Sequence, residues 1–172
     1  MRSVLYPLLL SVCTSLMAQG AQESIDETPY RKTVEGFSAG FWLTKEESFF
    51  SDWDNSAPPE LEVAREARRN EPLYTVVLFN NPGRTSEGRA EVTLDLILKY
   101  EDGSTTLELE DISCWSGSLG GEPRMLHLCP SYLALTMEAA DPLGEYTARI
   151  VVRDHVKDVE LELERQYILR KE

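Results

Sequence analysis

Histidine and cysteine are scarce in these 172 residues, with two of the first and three of the second. That leaves little from which a nitrogen and sulfur metal site, or a cysteine–histidine nucleophile, could be assembled. Basic residues are also in deficit. Seventeen lysines and arginines face thirty acids, a formal charge of −13, which argues against nucleic acid and anionic membrane surfaces as partners. Long apolar runs are missing too. The longest, Val4 to Val12, is broken by Pro7 and falls short of the ~20 residues that a bilayer-spanning helix needs. No internal repeat or low-complexity tract is visible.

What is present begins with a targeting signal. Arg2 precedes the apolar run, and Ala18-Gln19-Gly20 places small residues at the two positions a signal peptidase reads. Residues 1–20 are therefore expected to be a cleaved signal peptide, leaving a periplasmic or secreted chain with no membrane insertion. Its removal takes one arginine and no acid, so the mature charge is 16 minus 30, or −14. Residues 21–35 show no period and are expected to form a flexible lead-in. Residues 36–172 are the size of one domain. Two cysteines remain, Cys114 and Cys129, and in an oxidising compartment they are expected to form a disulfide.

The domain reads as strands. Ala90 to Tyr100 alternates strictly, with Ala90, Val92, Leu94, Leu96, Leu98 and Tyr100 on one face. Asp102-Gly103 marks a hairpin turn into a return strand with Leu107 and Leu109. Leu73 to Phe79 is apolar on both faces apart from Thr75, the signature of a strand covered on both sides. Phe37 to Leu43 reads as an edge strand with a bulge. Thr44 and Glu47 have capping-box spacing, and Phe49, Phe50 and Trp53 then follow helical spacing, so a short helix is expected over 45–53. Asn70 suits a left-handed turn position. Leu133 to Met137 forms another strand. Val159, Leu161 and Leu163 in the last strand, Lys157 to Leu169, must share the core with Ile150 and Val152, which sends Arg149, Arg153 and the glutamates 160, 162 and 164 to the same outer face.

Asp141, Gly144 and Tyr146 form the expected structural corner. A turn with Pro142 and Gly144 precedes the alternating strand Tyr146 to Arg153. The Gly-x-Tyr at its start resembles the tyrosine corner of immunoglobulin-like domains, in which the phenol reaches back to upstream backbone. About seven short strands at regular spacing resemble an antiparallel immunoglobulin or fibronectin-III type sandwich. Ala148 stands where antibody domains carry their inter-sheet cysteine, so the resemblance is to the branch lacking that bridge. Phe41-Trp42-Leu43-Thr44, Glu71-Pro72-Leu73, Asp102-Gly103-Ser104 and Asp141-Pro142-Leu143-Gly144-Glu145-Tyr146 are together similar to a group of uncharacterised bacterial exported proteins. That resemblance implies a fold and an exported location, and carries no activity with it.

Candidate chemistry is thin. Asp52, Asp54 and Asn55 lack the glycine and the downstream glutamate of a calcium loop. The acidic stripes Glu108, Glu110, Asp111 and Glu160, Glu162, Glu164 fit strands that face water. No catalytic residue, cofactor or metal is expected. Trp115, beside Cys114 and the glycine-rich loop Ser116 to Glu122, is the candidate recognition residue, with His127 held near it by the disulfide. The expected role is a non-catalytic interaction module that contacts another envelope protein. The alternatives are a carbohydrate-binding module using Trp115 or Trp42, and a carboxylate-based hydrolase.

Overall fold

A computed structural model describes residues 28–54, 57–122 and 124–171. The expected signal peptide lies outside the described residues, as does the lead-in up to residue 27. In chain order the elements are β1 (Arg31–Val34), β2 (Phe37–Thr44), α1 (Ser48–Ser51), β3 (Glu66–Arg68), β4 (Pro72–Asn80), β5 (Arg89–Tyr100), β6 (Thr105–Ser118), β7 (His127–Leu128), β8 (Ala134–Thr136), β9 (Gly144–Asp154) and β10 (Val159–Arg170). The fold is all-β, and its short helix falls inside the stretch expected to hold one.

Two five-stranded sheets enclose one core. The first runs β1-β2-β4-β7, with β8 also on β4, and the second runs β3-β10-β9-β5-β6. Among the described residues ten strands thus stand where about seven were expected, because short pieces such as β1, β3 and β7 carry too few residues to show a period. The pairing is not wholly antiparallel either: β3 runs parallel to β10. Arg31–Val34 pairs with β2, so the lead-in expected over 21–35 ends earlier than its composition indicated. That pairing also places β2 between two neighbours, and the edge-strand expectation for it is corrected.

Period-two patterning fixes which residues face inward. Phe37, Phe41, Leu43, Leu73 and Phe79 of the first sheet meet Val92, Leu94, Leu96, Ile150, Val152, Leu161 and Leu163 of the second, all buried. Each such side chain contributes about 1.5–3 kcal/mol relative to exposure. The register pairs Leu161 with Val152 and Leu163 with Ile150, so odd positions of β10 meet even positions of β9, as core parity requires. On the opposite face Arg149 pairs with Glu162 at 2.6 Å, and Arg153 bridges Asp95 and Glu160. β4 is covered on both sides, since Val76 and Leu78 pack outward beneath Phe49.

The sheets close on one another where β10 meets β2 and the segment before β1. At the closed side the Glu164 amide donates to the Pro29 carbonyl at 2.6 Å, and Arg165 Nε donates to the Phe41 carbonyl at 3.0 Å. A disulfide between Cys114 of β6 and Cys129, just beyond β7, also ties the second sheet to the first. Closing a loop of this length is worth about 3 kcal/mol in the chain-entropy estimate. Among the described residues, no helix is long and apolar enough to cross a membrane.

Candidate functional site

The expected corner is built as a structural device. Tyr146 is buried and its hydroxyl donates to the Pro142 carbonyl at 2.9 Å. Its ring stacks on Tyr167 at 5.5 Å. Asp141 Oδ2 accepts the Glu138 amide, and Arg69 donates to the Asp141 carbonyl, which closes the turn from both ends. Gly144 is required by its backbone: φ is +143°, and a Cβ there would meet Tyr100 and Glu101 side-chain oxygens.

The disulfide brings Trp115 and His127 together, as the sequence implied, with ring centroids 5.8 Å apart. Both rings also contact Phe79, at 6.2 and 5.5 Å. The pair presents little surface. His127 is 4% exposed, and Trp115 is half-buried with its Nε1 enclosed and unpartnered. The reason is strand length. β6 continues through Ser118, placing Trp115 opposite Val92 in a ladder where a loop had been expected. Burial, and behind it the Arg84 charge, push the His127 pKa down, so the ring is neutral and packs as an aromatic.

Two acids of the last stripe are held in ion pairs. Glu160 and Glu162 are engaged by Arg153 and Arg149. Asp95, an outer-face residue of β5, is 8% exposed because it sits opposite a bulge in β6 and accepts the Asp111 amide at 3.0 Å. The hydrogen bond from Arg153 is the main cause holding its carboxyl below the usual range. Asp154 has a different role. It is 1% exposed, and it accepts the amides of Gly83, Val156 and Lys157, pinning the loop after β4 to the β9–β10 turn. His155 is exposed and its Nε2 lies 2.8 Å from Thr93 Oγ1. No group of three or more His, Cys, Asp and Glu side chains among the described residues is placed to hold a metal ion.

Sequence reasoning located the aromatic cluster without its surroundings. α1 lies on the outer face of the first sheet, where Phe49 is buried and Trp42, Phe50 and Trp53 are half-buried. Tyr74 of β4 and Tyr132, from the segment before β8, complete the cluster. Phe50 and Tyr132 stack at 4.0 Å with ring planes 18° apart. Glu47 accepts a hydrogen bond from each tyrosine hydroxyl, both at 3.2 Å. Those bonds raise both phenol pKa values, behind burial at Tyr74 and as the first cause at Tyr132. Tyr132 carries no local signal of this role, since its partner Glu47 lies 85 positions away.

No family model matches this chain, and no curated protein does. A solved structure of a family 123 glycoside hydrolase from Clostridium perfringens, studied for glycolipid glycan hydrolysis, is similar at 12% identity with a TM-score of 0.47. The match covers 78% of this chain and 28% of that one. The chain thus spans under a third of that protein's length, and at this level of likeness no argument rests on the comparison.

Proposed function

We propose that this chain is a non-catalytic, exported interaction module of immunoglobulin-like type that contacts another envelope protein through the aromatic outer face of its first sheet. The observation that carries the reading is the Phe50–Tyr132 stack. Tyr132 is 36% exposed, yet its ring is held by Phe50 and its hydroxyl by Glu47. Aromatic side chains anchor protein interfaces, and anchors already fixed in place lose little entropy on binding. The Tyr146 hydroxyl bond to Pro142 supports the immunoglobulin-like part of the reading. The disulfide supports export, because such bonds persist in oxidising compartments.

The test is crosslinking and pull-down of the full chain from native envelope, with wild type and Tyr132→Ala compared. A partner captured by wild type and at least tenfold depleted with a folded Tyr132→Ala supports the reading. Equal capture by both proteins overturns it.

One observation favours a second reading, a carbohydrate-binding module. Trp42 lies against Gly40, where any side chain would displace the indole, and it lines a cleft of about 260 Å³ with Arg31, Thr33, Ser38 and Asn80. An aromatic ring beside hydroxyl, amide and guanidinium groups suits a sugar. Titration with N-acetylglucosamine and with maltose, read by tryptophan fluorescence, tests it. A saturable change lost in Trp42→Ala supports the sugar reading, and no change with either probe refutes it for those sugars.

A further inference from the structure

Arg165 stands at a core position of β10. Its neighbours of the same parity, Leu161, Leu163, Tyr167 and Leu169, are at most 1% exposed, and apolar alternation calls for another such residue between them. A guanidinium there carries a desolvation cost that an ordinary seam would avoid by using leucine. The side chain points into the closed side of the sheets. Nε donates to the Phe41 carbonyl at 3.0 Å, and the guanidinium carbon lies 3.7 Å from the Tyr30 ring centroid. Stacking on Tyr30 and the single anchor at Nε leave the two terminal nitrogens without a hydrogen-bond partner or ion pair among the described residues.

Arg165 lines a groove of about 470 Å³, whose walls also include Arg65, Glu145 and Glu164. The walls are fixed by backbone. Pro29 is tied to β10 at Glu164, Arg65 is tied to it at Ile168, and Ala64 is tied to β2 at Leu43. Arg65 is exposed and likewise has no ion pair among the described residues. Two guanidiniums sharing a groove without carboxylate partners run against the composition of a chain at −13. Burial, and less strongly the Arg65 charge, push the Arg165 pKa down, although a guanidinium stays protonated throughout the physiological range.

We propose that this groove binds a carboxylate, carried by a small organic acid or by a polypeptide C-terminus, in the fork of the Arg165 terminal nitrogens with Arg65 as a second donor. A planar carboxylate matches that fork with two parallel hydrogen bonds. Glu145 and Glu164, both exposed, repel multiply charged anions and so select a single negative charge. The site does not use the Phe50–Tyr132 surface and stands or falls separately from it.

The test uses the full chain, isotopically labelled, with the arginine Nε–Hε resonances followed by NMR at constant ionic strength. The probes are sodium acetate, N-acetyl-Ala-Ala with a free C-terminus, the same dipeptide as its C-terminal amide, and sodium sulfate. A saturable shift of the Arg165 resonance with acetate or the dipeptide acid, and none with the amide, is expected. Dipeptide acid binding at least tenfold tighter than acetate assigns the site to chain termini, and equal binding assigns it to small acids. Arg165→Lys should weaken binding at least tenfold by removing the fork. Arg65→Gln, an exposed change that leaves the core intact, should weaken it several-fold with no change in thermal midpoint. No saturable shift with either carboxylate, an equal shift with the amide, tighter binding of sulfate, or undiminished binding by Arg65→Gln overturns the proposal.

Discussion

Replacing Asp154 by alanine should be among the most damaging single changes outside the apolar core. The carboxylate is 1% exposed and accepts three amides, from Gly83 at 2.5 Å, Val156 at 3.0 Å and Lys157 at 3.2 Å. A hydrogen bond to a charged group is worth about 1.5–3 kcal/mol, and a buried amide stranded without its acceptor costs a similar amount. Gly83 is buried, so its bond counts in full, about 2–3 kcal/mol. Val156 and Lys157 border solvent, where water replaces the lost acceptor, and they count for about 1 kcal/mol each. Removing a buried charge returns some desolvation energy, which brings the expected loss for Asp154→Ala to about 3–4 kcal/mol. Asp154→Asn keeps one acceptor oxygen but turns an NH2 towards an amide, and should lose about 2 kcal/mol. Urea denaturation measures both, with an unchanged slope confirming that the same surface unfolds. A loss below about 1 kcal/mol in the alanine variant would refute the idea that this carboxylate holds the two loops together.

Tyr146→Phe removes the hydroxyl bond to Pro142 while keeping the stack on Tyr167, and should cost about 1 kcal/mol; an unchanged urea midpoint would show that the corner bond contributes nothing. His127 sets a pH dependence. Burial lowers its folded pKa while the unfolded value stays near about 6.5, so below that pH the unfolded chain binds more protons and stability falls. The loss should begin near about pH 6.5 and approach about 1.4 kcal/mol per unit until the folded pKa is reached. Comparison with His127→Phe at pH 7.5, 6.0 and 5.0 isolates the effect from the carboxylates, and parallel curves for the two proteins would count against it.

Local alternation was enough to read much of this chain. β5, β9 and β10 each bury one face against a common core, so a period of two and its parity emerge from neighbouring residues alone. The Arg149 and Arg153 ion pairs with β10 glutamates follow from the same parity. Turn chemistry was equally local. Asn70 adopts φ +63° and Gly103 φ +84°, positions where side-chain type limits backbone directly. The two cysteines were paired by their count and by the expectation of export.

What stayed hidden depends on residues far apart in sequence. Whether Phe37–Thr44 is an edge or an inner strand is decided by β1, which is four residues long and carries no pattern of its own. Trp115 looked like a loop residue because glycine and serine follow it. Its burial comes from pairing with β5 and from Phe79 of the other sheet. Arg165 breaks the apolar series in plain sight, but one charge among alternating residues is ambiguous until Phe41 and Tyr30 arrive from the first 42 positions to receive it. Parity is a property of a strand and can be read from one. Which strands become neighbours, and what their shared seams can hold, is settled only when both sheets close on one core.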